Sequence, residues 1–380
     1  MRQLFLLIMM ISIAFISKPL WEEQMNQWVD IPSLDLLAEK LDSVKENPDV
    51  ETAIDSINST FHALFNKLED SVENDKTESP ETNKKNIDKP TLATPTEQTF
   101  SVSNIVLGDK KVEVEETVGL PQRYSRNEYG VDWFSYHENY HNFMMVSYND
   151  KNQVNGLYTN QDLIASSIGI KIGSAKESVQ KNLGEPLTKI RKGLVYYQLQ
   201  DNGEYEVYKL DNSFVTIFYD KHENNSVTAI QIISEELENN KSNIYADSNS
   251  ELKKGFEYQL FDLTNATRVN HHLPTLTFND HVKETARKHS LDMADNHYFS
   301  HTNLQGQSPF DRMQEDEITF VTAGENLAYG QYSSIFAHEG LMNSMGHRKN
   351  ILKPDYEYLG VGVAFNSESQ PYYTENFFSN

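Results

Sequence analysis

The sequence predicts an α+β protein built in successive parts. Three observations carry that expectation. Two glycine-punctuated segments repeat at an offset of 65 residues, aromatic and β-branched runs follow each of them, and helical apolar spacing from Val282 gives way to a strand-like run at Leu359–Ala364.

At the N-terminus, Met1-Arg2-Gln3 precedes an apolar run from Leu4 to Ile16, then Lys18. One cation ahead of such a run reads as a secretory signal, and the run falls short of the about 20 apolar residues of a spanning helix. Residues 1–20 are expected to be a signal peptide, or a signal anchor that holds the protein to the membrane if uncleaved. Ala14-Phe15-Ile16 is a poor cleavage site, and Pro19-Leu20-Trp21 extends the run. Residues 21–70 place Leu34, Leu37, Leu41 and Val44, then Ile54, Ile57, Phe61, Leu64 and Leu68, at helical spacing. An amphipathic helical segment is expected there, with a stalk or partner-binding coil as its functional alternative. Residues 71–99 carry scarcely any apolar side chain, so a disordered linker is expected.

Residues 100–240 hold the repeat. Ile105-Val106-Leu107-Gly108 leads to Gly119-Leu120-Pro121, and Ile170-Lys171-Ile172-Gly173 leads to Gly184-Glu185-Pro186. Each copy reads as a strand, a short helix with Val112 or Val179 inside, and a Gly-x-Pro stop. Strands are expected at Trp133–Tyr136 and Phe143–Tyr148 in the first copy, and at Val195–Tyr197 and Phe214–Tyr219 in the second. This duplicated α+β unit shows no paired carboxylates, phosphate loop or metal spacing. Its tyrosines are expected to pack the sheet, with a ligand or glycan platform as the alternative.

Composition narrows the partners. Against 33 Lys and Arg stand 56 Asp and Glu, a net charge of −23 over 380 residues. Such a field excludes nucleic acid as a partner of the whole surface and disfavours anionic membrane. With no cysteine, disulfides and thiolate metal sites are excluded.

In residues 251–380, Val282, Ala286, His289 and Met293 form the apolar face of one helix, so His289 is read as a packed histidine. His297 and His338 are read as rim or surface residues, and His271-His272 as a polar loop. Gly346 permits a close backbone approach, and His347 beside it is a metal ligand or proton carrier by type. Ser308 has no base nearby in sequence, so no serine nucleophile is expected.

Several ordered motifs accumulate from about Leu260 onward. They are Leu263-Thr264-Asn265 with Arg268, Phe299-Ser300-His301, Ser308-Pro309-Phe310-Asp311-Arg312, Gly324-Glu325-Asn326, Met342 through Arg348, and Leu359 through Ala364. Together they resemble the CAP superfamily (cysteine-rich secretory proteins, antigen 5 and pathogenesis-related 1 proteins) in its bacterial SCP-like form. The repeat ahead of it looks like the CAP-associated N-terminal domain of Bacillus-type proteins. The resemblance implies a C-terminal CAP α-β-α sandwich, with helices flanking a mostly antiparallel sheet, after the duplicated α+β domain and an N-terminal helical or disordered stalk. It also implies a cleft joining His301, Glu325 and His347. The fourth member of that cleft departs from many relatives: Leu341 replaces a tryptophan, Ser344 stands where eukaryotic members often carry glutamate, and Glu339 is the available carboxylate.

Two imidazoles and a carboxylate can hold zinc or another divalent cation with open positions for water, the carboxylate serving as ligand, orienting partner or base. A buried polar network is the alternative. Asn326 and Asn350 are expected to fix loops, and Arg348 to pair with a carboxylate such as Asp311 or clamp an anionic ligand. The functional expectation is an exported or extracytoplasmic protein of a Gram-positive cell envelope. It would act as a binding module, with His301 and His347 as metal ligands and an envelope protein, peptide or lipid as partner. A zinc-dependent, peptidase-like hydrolase using His301, His347 and Glu325 is the alternative, and lipid or sterol binding, known for some family members, is a third.

Overall fold

The computed structural model describes residues 87–199 and 203–380. The expected signal or anchor at 1–20, the helical segment at 21–70 and the linker as far as residue 86 lie outside the described residues. Residues 87–99, expected to belong to that disordered linker, are instead tied to the folded part. The Asn104 side chain accepts from the Ala93 amide at 2.7 Å and donates to the Thr91 carbonyl at 2.9 Å. Asn142 donates to the Asp88 carbonyl at 3.0 Å. Side-chain amides distant in sequence satisfy this backbone, a source of order that local composition does not reveal.

Strand β1 (Phe100–Val102) pairs antiparallel with β6 (Ile164–Ser166). Helices α1 (Lys111–Val118) and α2 (Lys176–Leu183) are the short helices of the repeat. They end at Gly119 (φ 85°) and Gly184 (φ 78°), a backbone region that glycine enters without steric cost. Val112 and Val179 lie inside these helices as expected, and the buried residue of the first copy is Val114. Val114 and Val179, 65 residues apart, are both buried, whereas Val112 is 56% exposed.

Seven strands make one antiparallel sheet. They are β2 (Arg123–Arg126), β3 (Asp132–Glu138), β4 (His141–Tyr148), β5 (Val154–Thr159), β9 (Tyr205–Leu210), β10 (Ser213–Asp220) and β11 (Ser226–Ser234). Their order is β2-β3-β4-β5-β11-β10-β9, so the two copies meet at β5 and β11. The expected strand at Val195–Tyr197 does not join them. It pairs as β8 (Val195–Gln198) with β7 (Lys189–Lys192) in a separate hairpin whose Leu194 tip is exposed. The second copy thus carries an insertion, and β10 starts 72 residues after β4, whereas the helices start 65 apart.

The C-terminal lobe begins after α3 (Glu235–Asn240). It contains α4 (Ser250–Asn270), β12 (Thr277–Phe278), α5 (Asp280–Asn296), α6 (Pro309–Glu315), β13 (Thr322–Tyr329), α7 (Ser334–Met342), α8 (Met345–Ile351), β14 (Tyr358–Phe365) and β15 (Pro371–Ser379). The sheet order is β12-β14-β15-β13, with only the short β12–β14 pair parallel. Alternate side chains of β14 point to opposite faces. Leu359, Val361 and Val363 join a core with Phe256 and Leu260 of α4 and Ala337 of α7. On the other face, a Cβ at Gly360 or Gly362 would lie 2.3 or 2.1 Å from the backbone nitrogens of Lys283 and Arg287 in α5. Helices therefore cover both faces, an α-β-α sandwich.

The seven-stranded sheet is also covered twice. Met144 and Val146 of β4 face the core that contains Val114 and Val179. Phe143 and Met145, with Trp133, Tyr158 and Phe218, pack against Leu263 and Ala266 of α4 and Ile335 and Phe336 of α7. At one end of this junction Gly255 of α4 lies so close to β2 that a Cβ would sit 2.0 Å from the Arg126 carbonyl oxygen.

Gly255→Ala is expected to lower stability by about 2 kcal/mol, the usual range for forcing a methyl into a packed contact. Gly346→Ala, where a Cβ meets nothing within 4 Å, is expected to stay within about 0.5 kcal/mol of the parent, as open sites do. Urea unfolding of the two variants against the parent checks both.

Candidate functional site

The loop that carries His301 is pinned from beneath. Helix α5 ends at exposed His297 in the left-handed region (φ 54°). His289, buried as expected, bonds through Nε2 to the Ser300 carbonyl at 2.9 Å. The serine of the next motif caps α6: Ser308 Oγ accepts from the Asp311 amide and Asp311 bonds back, with Pro309 in the first turn. That start aims Arg312 under the loop. Its Nη1 donates to the carbonyls of His301 (2.8 Å) and Gln307 (3.1 Å), and its Nη2 to Glu325 Oε2 at 2.7 Å.

Glu325 is shared. Its Oε1 lies 2.9 Å from His301 Nδ1, and its side chain is 1% exposed. An ionised carboxylate only accepts, so Nδ1 is the donor in this contact. Each residue of Gly324-Glu325-Asn326 has a separate task. A Cβ at Gly324 would lie 2.2 Å from the Tyr356 hydroxyl. Asn326 donates to the His347 carbonyl at 3.2 Å and to Glu375 at 3.0 Å, while Asn350 donates to the Glu325 carbonyl at 3.2 Å and to Asn326 at 2.9 Å. These amides, expected to fix loops, instead tie β13 to α8 and β15.

His347 lies in α8, half-buried, and its Nδ1 is buried without a hydrogen-bond partner. Burial first, and then the neighbouring His301, hold its pKa below the ordinary imidazole value. Gly346 does not mediate the expected close approach, because it faces open space. His338, expected on the rim or surface, is buried against Thr267 Oγ1 at 2.7 Å, and burial lowers its pKa to about 3. His271 and His272 are exposed, in keeping with a polar loop.

The remaining candidates face the other lobe. Glu339 does not join His301 and Glu325; it accepts from the Tyr158 hydroxyl of β5 at 2.7 Å. Burial raises its pKa to about 7. Arg348 pairs with Asp220 at the end of β10 at 2.7 Å, not with Asp311, which is occupied in the α6 cap. Asn343 receives the Lys221 amide at 2.8 Å and donates to the Tyr219 carbonyl at 2.9 Å. The segment just before His347 is thus held by the seven-stranded lobe. A cavity of about 770 Å³ lies between the two, with Glu339, Ser344 and His347 on one side and Tyr197, Glu204 and Tyr205 on the other.

Among the described residues no group of three or more His, Asp or Glu side chains is placed to hold a metal ion. Both oxygens of Glu325 are already engaged, one of them by a cation, and Glu339 is engaged by Tyr158. Two imidazoles remain, short of the three protein donors of a catalytic zinc. Arg312, Tyr158 and Asp220 are the contributors that sequence reasoning did not assign. Arg312 stood inside a quoted motif, but Tyr158 and Asp220 come from another lobe and have no local signal.

Arg312→Met leaves Glu325 buried and without its cation. Breaking a buried pair in this way is expected to cost about 3 kcal/mol. The double variant with Glu325→Gln should lose less than the sum of the two single variants in a denaturant cycle. Glu339 and Glu375, both raised to about 7 by burial, bind protons more tightly folded than unfolded. Their stabilising contribution is complete below 4.5 and is lost as pH rises through about 7. Glu339→Gln should flatten that decline, measured as urea midpoints between about pH 5 and about pH 8.

Two family patterns match the chain: the CAP-associated N-terminal pattern over residues 107–244 and that of the cysteine-rich secretory protein family over residues 261–377. The uncharacterized membrane protein YlbC of Bacillus subtilis (strain 168) is 31% identical over 289 residues, covering 71% of this chain and 82% of that protein. The uncharacterized protein YkwD of the same strain is 40% identical over 122 residues, 32% of this chain and 46% of that protein. The crystal structure of an extracellular SCP-domain protein from Bacillus anthracis str. Ames matches 79% of this chain and all of its own, with a TM-score of 0.62 at 24% identity. A cysteine-rich secretory protein from Staphylococcus aureus matches 72% of this chain and 91% of its own, with a TM-score of 0.56 at 17% identity. Those structures share the fold described above, and with the motif geometry and the long YlbC alignment they make this chain a member of the cysteine-rich secretory protein (CAP) family, with a CAP-associated N-terminal domain ahead of its CAP domain.

Proposed function

We propose that this protein is an exported binding module of the cell envelope, and that its ligand sits between the two lobes beside His347. The cavity of about 770 Å³ carries this reading. It falls within the usual size of small-molecule and oligomer sites, about 300–1,000 Å³, and its walls come from both family domains. Export is supported by the apolar run Leu4–Ile16 behind Arg2 and by a relative named as a membrane protein. Among the described residues no helix is long and apolar enough to cross a membrane.

Binding is favoured over metal-assisted hydrolysis by the state of Glu325. A carboxylate held by Arg312 and by His301 is poorly placed to act as base for a metal-bound water. Arg312 also opposes a dication at the same spot. Zinc titration by calorimetry should therefore show no stoichiometric binding in the micromolar range. Tight binding lost in His301→Ala/His347→Ala would restore the hydrolase reading.

The direct test is sedimentation of the full chain with isolated Gram-positive cell envelopes. Saturable association that falls at least tenfold in Gly340→Trp, which fills the cavity wall, is the expected outcome. Association that is absent, or indifferent to that substitution, would overturn the proposal.

A further inference from the structure

We infer that the groove between the lobes takes a neutral saccharide chain. The inference rests on the binding reading above and adds the chemistry of the ligand. The cavity is not a closed pocket. It shares Phe299, Tyr329 and Gln370 with a neighbouring hollow of about 280 Å³ that runs on past Tyr298, Asn366 and Tyr372. A path this long suits an extended chain rather than a compact molecule.

Aromatic rings recur along the path. Tyr197 of β8 and Tyr205 of β9 stand at the end formed by the seven-stranded lobe, Tyr245 and Tyr332 in the middle, and Phe299 with Tyr329 at the junction of the two hollows. Phe299 and Tyr329 are open to solvent, at 49% and 38%, whereas Tyr205 and Tyr332 are packed against Phe336 and present only part of a ring. The face of such a ring supports the apolar face of a sugar, while its own or a neighbouring polar tip meets a hydroxyl. Between the rings lie the planar amides of Gln198 and Gln331, which can donate to and accept from hydroxyl groups, while Asn366 and Gln370 are bonded to each other at 2.8 Å and shape the wall of the smaller hollow. The side-chain oxygen of Gln331 is buried without a hydrogen-bond partner, as is His347 Nδ1, so polar groups at this wall have unmet capacity.

Charge excludes the competing polymers. No lysine or arginine lines either hollow, so a phosphate-bearing chain finds no counter-ion. Of the carboxylates in the larger one, Glu204 is paired with Lys221 at 2.7 Å, and Glu339 is bonded to Tyr158. Their charge is thus largely spent within the protein, and the remaining carboxylate along the path is exposed Glu368 of the smaller hollow, which has no ion pair among the described residues. A peptide added as a strand would need open backbone beyond the end of β13, where the carbonyls of Gly330 and Gln331 already accept from the hydroxyls of Tyr245 (2.9 Å) and Tyr373 (3.1 Å). The outer edge of β13 itself is unpaired by any strand among the described residues, and the hexapeptide below tests it. A lipid tail would need a continuous aliphatic wall, whereas Leu199, Ile244, Leu327 and Leu341 are dispersed among rings and amides.

The test titrates the full chain with two neutral hexasaccharides, one of β-1,4-linked glucose and one of β-1,4-linked N-acetylglucosamine, followed by calorimetry. A capped alanine–glutamine hexapeptide and a glycerol phosphate polymer are run beside them. Saturable binding of at least one hexasaccharide is expected. It should weaken at least tenfold in Phe299→Ala/Tyr329→Ala and in Tyr197→Ala, and be unchanged in Tyr124→Ala, an exposed tyrosine outside the groove. Tyr197 sits on the outlying hairpin, so its variant stays informative if the double variant loses stability. Absence of binding to both hexasaccharides, or binding indifferent to these substitutions, overturns the inference. If envelopes still sediment the protein in a manner sensitive to Gly340→Trp, the binding reading survives and only the saccharide is rejected; peptide or phosphate-polymer binding would then name the replacement class.

Discussion

Helix α4 (Ser250–Asn270) is the element on which the described structure depends, because it is buried on two sides by two different sheets. Leu252, Phe256 and Leu260 belong to the core under β14 and β15, and Leu263 and Ala266 to the core under β3, β4 and β5. A helix apolar on more than one stripe needs a partner for each. Its polar residues are divided the same way. Asp262 accepts from Tyr140 at 3.0 Å and pairs with Arg123 at 3.3 Å in the upstream lobe, while Thr264 donates to Glu375 at 2.9 Å in the CAP sheet. Arg268 is fully buried and spends its guanidinium on the carbonyls of Pro274, Ile351 and Lys353, which ties the end of α4 to the end of α8.

From that shared helix follows the character of the site. The CAP cleft has two walls made by its own lobe and a third made by the seven-stranded lobe. On the first two, Arg312 and His301 saturate Glu325 and the asparagine pair locks the backbone around it. On the third, Asp220, Lys221 and Tyr158 engage Arg348, Asn343 and Glu339. The histidine of α8 is therefore positioned by contacts that span both lobes, and the cavity of about 770 Å³ opens where they meet. Engaged carboxylates and aromatic walls are what support the binding reading proposed above.

Much of this was legible beforehand. The α-β-α layering followed from motifs in order, and the packed role of His289 followed from its place on one helical face. The repeat was visible in its glycines, since a positive φ at the end of each short helix favours that residue type. Val195–Tyr197 forms a strand as its composition predicts, in an inserted hairpin outside the main sheet. An error arose where a local rule met a distant partner: His338 looked peripheral, but it lies beneath α4 against Thr267.

One signal of the double burial was present and unread: Phe143-Met144-Met145-Val146 is a continuous apolar run, the pattern of a strand covered on both faces. By itself the sequence determined the family and the glycine-bounded repeat, because each depends on residue type at short spacing, and the family resemblance implied that His301 and Glu325 share a cleft. Only the tertiary structure decided that Glu325 is neutralised by Arg312, that Arg348 turns to Asp220, and that Glu339 meets Tyr158. Those pairings join residues up to 181 positions apart, and the energy of a buried charge is set by whatever lies beside it in space, which sequence spacing does not encode.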